Sequence, residues 1–387
     1  MSIIKQYNMS NISKKPKANI SFAAIDPYAE SNIVTPKETQ YVGKEYVEWG
    51  DGNMYPEYLQ ALYDNVPTLQ SIIEGCVDYV AGDEITIVPL NDTLDPGKMN
   101  TKGDTITEQV RDVGGDLFLT GGFALQIIRN AEGGIAEVHY VDVRFIRCNK
   151  ECDVFYYSEN WGKNSRKKVL VYPAFMPNLD WNALSDEERK RHASSILYVK
   201  RSRKKTYPVP CYAAAVKACE IERCVDDFHL NAINNGFTGS YIINFNNGVP
   251  DDNIKEEIEE SFNEKFSGHE NAGRIGFSWN PNKASATSIE KVEVEDFGEK
   301  YKSLESNSRQ KIFTAFRANP NLFGIPTESL GFNQEEYESA FRLFNRTMIR
   351  PAQALIADAY DKIYGRTGVL SIKPFSLGES TTEKEVN

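Results

Sequence analysis

The sequence has little of what most enzymes use. It contains only four histidines, His139, His192, His229 and His269, and none falls in an HExxH or His-x-Glu spacing. Six cysteines in 387 residues are too sparse for a disulfide scaffold. Two pairs come close enough to be weighed as metal ligands, Cys148 with Cys152 and Cys219 with Cys224. Zinc sites need a second Cys pair or histidines at matching spacing. The first pair is Cys-x3-Cys beside a strand pattern, and the second lies on opposing parts of a helix, so buried reduced thiols are the expected state. No Gly-x4-Gly-Lys-Ser/Thr loop and no Gly-x-Ser-x-Gly elbow occurs, and Gly114-Gly115, Gly121-Gly122 and Gly133-Gly134 lack the strand–loop–helix setting of a dinucleotide site. No apolar run approaches the roughly 18–20 residues that cross a bilayer, so no membrane partner is expected. The opening stretch MSIIKQYNMSNISKKPK has no apolar core of a secretory signal, which points to folding in a cytosol.

Positive charge is also in deficit. Lys+Arg 44 against Asp+Glu 55 leaves a net charge of −11, which argues against a chain that grips nucleic acid over its whole surface, since that affinity comes from Lys and Arg on phosphate. What is present is an ordinary globular composition, 41% hydrophobic and 26% charged, in a length that suggests two or three domains at about 150 residues each.

Residues 1–40 are polar and punctuated by Pro16, Pro27 and Pro36, and read as a flexible arm. From Tyr41 to about 205 the pattern is α+β. Helical spacing at Tyr58, Leu59, Leu62 and Tyr63 is followed by a second helix ending at Gly82, a short strand over 86–89, and a helix over 106–119. Strand signals then run over 123–129, 135–141, 152–158, 169–172 and 195–199, the first two joined by a Gly-rich turn. The composition changes after Tyr207-Pro208-Val209-Pro210. Residues 212–235 contain no Gly or Pro, and Ala214, Ala218, Ile221, Val225, Phe228 and Ala232 draw one apolar stripe. A small unit follows, with strands expected over 239–245, 274–279 and 289–294 and an acidic helix over 251–266 whose Ile254, Ile258, Phe262 and Phe266 share a face. A second helix free of Gly and Pro covers 300–317, with Tyr301, Leu304, Ile312 and Phe316 apolar. Residues 318–332 form a loop long enough to carry function. A last helical pattern over 334–364 must kink or divide at Pro351, and 378–387 reads as a disordered tail. The layout is a helix–insert–helix in which two long helices carry a compact insert at their far end.

No catalytic constellation stands above background. Asp142, Glu151 and Asp153 are the candidate ligands of a metal-dependent nuclease or nucleotidyltransferase on the α+β block, with structural turns as the competing reading. Asp251, Asp252, Glu256, Glu257, Glu259, Glu260 and Glu264 read first as a solvated helix face. Two basic runs, KNSRKK at 163–168 and KRSRKK at 200–205, are either solvated loops or local contacts to phosphate or an acidic partner. No cofactor is implied.

Five segments together resemble the phage portal proteins, in the branch found in P2-like and PBSX-like tailed phages. They are Asn53-Met54-Tyr55-Pro56 with TLQSIIEGCVDYVAG at 68–82; DLFLTGGFALQIIR at 116–129 with Val141-Asp142-Val143-Arg144; Tyr207-Pro208-Val209-Pro210-Cys211-Tyr212 with Ala214; Asn234-Asn235-Gly236; and RANPNLFG at 317–324 with Gly331-Phe332 and FNRTMIRPAQ at 344–353. The resemblance implies a wing over 41–205, stem helices over 206–236 and 296–318, a clip over 237–295 and a tunnel loop over 319–333. It also implies a kinked helix over 334–377 returning to the wing, with a reduced crown because little follows Gly365. It further implies a ring of twelve copies at one capsid vertex, assembled in the bacterial host cytoplasm and retained in the virion, through which double-stranded DNA enters and leaves. Terminase, a head-completion or adaptor protein, and the major capsid or scaffolding protein are the implied partners. Stem packing falls to Ala214, Ala218, Ile221, Val225, Phe228, Tyr301, Leu304, Ile312 and Phe316. The DNA-facing loop residues are Asn319, Pro320, Asn321, Leu322, Phe323, Gly324, Thr327 and Glu328. Glu256, Glu257, Glu260 and Glu264 are the partner-binding residues of the clip, and Lys200, Arg201, Arg203, Lys204 and Lys205 the candidates for phosphate or subunit contact. Like charge around a channel would leave DNA free to slide.

Overall fold

The structure is a computed structural model, and it describes residues 38–39, 45–89, 97–162, 169–201, 205–234, 241–245, 248–258, 275–282, 297–325 and 334–376. By internal contacts the chain divides into two units: a larger one comprising Ser31–Arg223 with Lys302–Asn387, and a smaller one containing Cys224–Tyr301.

In the larger unit, helices α1 (Tyr55–Asn65) and α2 (Pro67–Ala81) each carry proline in the first turn, where its missing N–H is one that no helix bonds. Helix α3 (Ile106–Leu119) starts at Thr105 in a capping box: the Thr105 hydroxyl accepts from the Glu108 amide and the Glu108 carboxylate accepts from the Thr105 amide. The chain then enters a three-stranded antiparallel sheet with β4 (Gly122–Arg129) between β5 (Ile135–Val141) and β9 (Ser194–Lys200). Phe123, Ala124, Leu125 and Ile127 of β4 are all fully buried, so this central strand is apolar without alternation, as a strand covered on both faces must be. A second antiparallel sheet has the order β6 (Ile146–Cys148), β7 (Val154–Tyr157), β8 (Leu170–Pro173). The expected strand over 152–158 begins two residues late, because Cys152 adopts φ 58 in the preceding turn. Two further short strands, β1 (Glu38–Thr39) and β2 (Glu48–Trp49), pair antiparallel.

The strand near 86–89 is β3 (Glu84–Ile87), and it pairs antiparallel with β12 (Leu370–Lys373), a strand that periodicity did not reveal. The chain passes so close to the end of α2 that a Cβ on Gly82 would stand 2.1 Å from the Lys373 carbonyl oxygen. The last helical pattern is divided as expected. Helices α7 (Gln334–Phe344) and α8 (Arg350–Tyr364) flank a π-helical turn over Asn345–Ile349, in which the Arg350 amide donates to the Asn345 carbonyl. The widened turn lies just before Pro351, whose ring would otherwise crowd the carbonyl four residues back. Ile356, Ala359 and Tyr360 of α8 are fully buried, and the Tyr360 hydroxyl bonds the Gln109 side chain at 3.0 Å.

Two long helices, α5 (Val216–Asn234) and α6 (Phe297–Phe316), carry residues of both units. A seven-residue helix, α4 (Asp186–His192), precedes β9. In the smaller unit β10 (Tyr241–Phe245) and β11 (Ile275–Trp279) pair in parallel, which requires a crossover between them; residues 252–258 of that connection are helical. The Phe245 and Trp279 rings stack with centroids 4.4 Å apart. The strand expected over 289–294 lies outside the described residues.

Candidate functional site

The loop after α6 begins with a helix stop built on an arginine. Arg317 sits at φ 54, in the left-handed region usually left to glycine. The Ala318 amide bonds the Phe313 carbonyl and the Arg317 amide bonds the Thr314 carbonyl, both at 3.0 Å. Asn319 then caps a 3-10 turn over Pro320–Phe323 by accepting from the Asn321 amide at 3.0 Å, and Gly324 ends it at φ 75. The turn is pinned to the core. Leu322 is buried, and its carbonyl accepts a 3.0 Å bond from the Tyr79 hydroxyl. The Phe323 ring packs against Tyr79, Phe313 and Phe344 with centroids 5.7–6.2 Å away. It lies over Gly75 of α2, where a Cβ would come within 2.7 Å of it. Of the eight loop residues expected to face DNA, Leu322 is therefore corrected to a core residue, and Phe323 is half-buried against that core. Asn319, Pro320 and Asn321 are half-buried and Gly324 is exposed. Thr327 and Glu328 lie outside the described residues.

The long helices bury part of the expected stem-packing set and leave the rest exposed. Ala218, Val225, Ile312 and Phe316 are buried, and Tyr212 stacks on Phe316 at 5.1 Å while donating its hydroxyl to the Leu119 carbonyl at 2.9 Å. Within the smaller unit, Phe228 stacks on Tyr301 at 4.6 Å. Yet Ala214 is exposed, and Ile221, Phe228 and Leu304 remain 36%, 46% and 44% exposed, so these four do not lie in the protomer's core. The inward face includes acidic side chains instead. Glu220 and Glu222 are buried, and the Glu222 carboxylate accepts from the Thr68 hydroxyl at 2.6 Å and the Thr68 amide at 3.4 Å. It thereby caps α2, whose own N-cap, Val66, has no side chain able to do so.

The second basic run is only partly free. The Lys200 ammonium, a candidate for phosphate or subunit contact, donates to the carbonyls of Lys205 and Thr206 at 3.0 and 2.8 Å. Arg201 and Lys205 are exposed; Arg203, Lys204 and the whole first run lie outside the described residues. In the smaller unit Glu256 and Glu257 are exposed, and Glu260 and Glu264 are outside the described residues.

The three carboxylates of the nuclease alternative do not converge. Asp142 is clamped by Arg144, whose Nε donates to both of its oxygens at 2.8 and 3.0 Å. It lines a cavity of about 490 Å3; Glu151 lines a different one, and Asp153 is held by the Asn149 side-chain amide at 2.5 Å. Among the described residues no three His, Cys, Asp or Glu side chains are grouped to hold a metal ion. Cys219 is buried and Cys224 exposed, so the second cysteine pair is split as well.

A family model described as phage portal protein matches residues 89–374. The chain belongs to the phage portal protein family. No curated protein matches it in sequence. The portal chain's fold is similar to one in the virion of a native gene transfer agent particle, with 16% identity, 84% of each chain covered and a TM-score of 0.52. It is also similar to one in the neck of an empty gene transfer agent particle computed with C6 symmetry, with 16% identity, 84% and 85% covered and a TM-score of 0.52. A phage portal protein of the HK97 family from Corynebacterium diphtheriae aligns at 8% identity over 81% of this chain and 93% of its own, with a TM-score of 0.47.

The residues that hold the portal chain's resembling segments together escaped sequence reasoning. Arg147, fully buried on β6, donates to the Asn53 side chain and carbonyl, both at 2.6 Å, and to the carbonyls of Arg144 and Ile146 at 2.7 and 2.9 Å. Glu57 stands 3.6 Å away, and burial raises its carboxyl pKa against the lowering effect of Arg147. Asp116 is buried, accepting from the Tyr140 hydroxyl at 3.0 Å and the Val143 amide at 3.1 Å. Burial, then the neighbouring Asp142, holds its carboxyl well above the usual range. The signal available was a charged residue inside an apolar run: Arg147 in FIRC and Asp116 in GGDLFL.

Proposed function

We propose that this portal chain assembles as a ring, with twelve copies at one capsid vertex of a virion, and that double-stranded DNA passes through its centre during packaging and ejection. Residues 41–205 serve as the wing, 206–236 and 296–318 as the stem, 237–295 as the clip and 319–333 as the tunnel loop. Residues 334–377 return to the wing. Terminase and then a head-completion or adaptor protein dock on the clip through Glu256, Glu257, Glu260 and Glu264, and the major capsid or scaffolding protein surrounds the ring. Assembly takes place in the bacterial host cytoplasm, and the P2-like and PBSX-like branch is proposed from the sequence motifs.

The observation that carries this reading, beside family membership, is the apolar surface left over on the long helices. Ile221 and Phe228 lie seven residues apart on α5 and stay about two-fifths exposed, as does Leu304 on α6. Large side chains at such spacing on one helix face suit a neighbouring subunit. The net charge of −11 per copy supports a channel that repels rather than grips DNA.

Negative-stain microscopy of the full chain, with packaging measured in particles, tests the proposal. The unaltered chain gives closed rings with a central hole. Ile221→Asp keeps its thermal unfolding but loses rings, because the protomer leaves that side chain exposed. Asn319→Ala/Asn321→Ala forms rings but packages or retains less DNA. Rings from the first variant overturn the stem interface, and normal packaging by the second overturns the loop's role.

A further inference from the structure

The β6–β7 turn sets two thiols side by side. Cys148 closes β6 and is fully buried; Cys152 follows four residues later and is part-buried. Cys152 occupies φ 58, a conformation that side chains with a Cβ rarely adopt. Asn149 imposes it: the Asn149 carbonyl accepts from the Cys152 amide at 3.1 Å, and its Oδ1 accepts from the amides of Asp153 and Val154 at 3.1 and 3.2 Å. The two Sγ atoms come to 3.7 Å, which is van der Waals contact and only about 1.7 Å longer than a disulfide bond.

The pair is asymmetric. The Lys200 ammonium, fixed by the carbonyls of Lys205 and Thr206, stands 3.6 Å from the Cys152 Sγ. The Cys148 thiol, and after it Lys200, bring the Cys152 thiol down to about 6, against burial and Glu38, which act the other way. The hydrogen bond to Cys152, together with burial, pushes the Cys148 thiol up. One sulfur is thus a ready nucleophile and its neighbour a reserve thiol. A cavity of about 640 Å3 opens on Cys152, and its lining includes Lys150, Lys200, Lys205 and Lys362 against Glu38 and Glu151, a balance that favours an anionic reagent.

We propose that Cys148 and Cys152 form a dithiol site that reacts with small anionic disulfides and closes to a disulfide across the β6–β7 turn. The Cys152 thiolate attacks one sulfur of the reagent, the reagent's S–S bond breaks, and the first thiolate leaves and takes a proton from water. Cys148 then loses its proton to solvent and its sulfur attacks the Cys152 Sγ, which forms the intramolecular bond and expels the second thiolate, again protonated by water. Two protein thiols are oxidised and one external disulfide is reduced to two thiols.

The test is peptide mass mapping of the full chain after incubation with oxidised glutathione and blocking of the remaining thiols. The unaltered chain gives a Cys148–Cys152 cross-link that retains no glutathione, whereas the exposed Cys224 gains glutathione without closing. Cys148→Ser traps one glutathione on Cys152, and Lys200→Met slows that capture several-fold. The proposal is overturned if Cys224 reacts in the unaltered chain while no Cys148–Cys152 cross-link forms, a readout that needs no variant to fold. It is equally overturned if folded Cys148→Ser captures nothing on Cys152.

Discussion

Replacing Arg147 with leucine removes the side chain that ties β6 to the turn before α1. The guanidinium makes four hydrogen bonds of 2.6–2.9 Å to Asn53, Arg144 and Ile146 and has no exposure to water. Leucine fills part of the volume but leaves three carbonyls and the Asn53 amide oxygen without this donor, and Glu57 without its cation. Breaking a buried charged network in this way costs about 3–5 kcal/mol. For a unit of this size that corresponds to a fall in melting temperature of roughly 10 °C. The guanidinium lies 5.8 Å from the Trp49 ring and 5.1 Å from the Trp161 ring, so tryptophan fluorescence during urea unfolding reads the region directly. Arg147→Lys restores the charge without the planar fork and recovers only part of the loss. The deficit of Arg147→Leu shrinks as pH falls through the Glu57 titration: burial already raises that carboxyl, loss of Arg147 raises it further, and protonation removes the uncompensated charge. An unfolding free energy within about 1 kcal/mol of the unaltered chain would refute the reasoning, since the network would then be replaceable by water and packing.

Gly75→Ala places a methyl 2.7 Å from the Phe323 ring and should destabilise by about 1–3 kcal/mol. Adding Phe323→Ala should relieve the clash, so the double variant loses less than the sum of the singles in chemical denaturation, and strict additivity contradicts the contact. Asp116→Asn keeps an acceptor for Tyr140 and Val143 while removing a carboxylate that burial disfavours. Because the folded carboxyl is raised above its unfolded value, the unaltered chain loses stability as pH climbs from about 4 through the folded value. The variant should therefore be more stable than the unaltered chain at pH 8, with the gain shrinking towards pH 4; a gain independent of pH, measured by thermal unfolding, would show that ionisation is not the cause.

Much of the fold was legible because its signals are local. The end of α2 at Gly82, the glycine turn between β4 and β5 and the break near Pro351 each depend on residues a few positions apart. Five weak segments in a fixed order were enough to point to the portal family, since order along the chain is itself sequence information. The candidate site was less legible. Stripe counting placed Ala214, Ile221 and Phe228 on one apolar face without saying what covers it, whereas Glu222 points in because it caps a helix that begins 155 positions before it, at Pro67, through Thr68, 154 positions away. Lys200 stood in a basic run open to either solvent or a phosphate or subunit contact, and the carbonyls it meets in the bend that follows carry no signal in that run. Arg147 meets Asn53 across 94 positions, and β12 finds β3 across most of the chain. Periodicity tells how often a helix or strand turns a side chain the same way. It does not tell which distant group awaits it, and burial, capping and charge pairing are decided by that group.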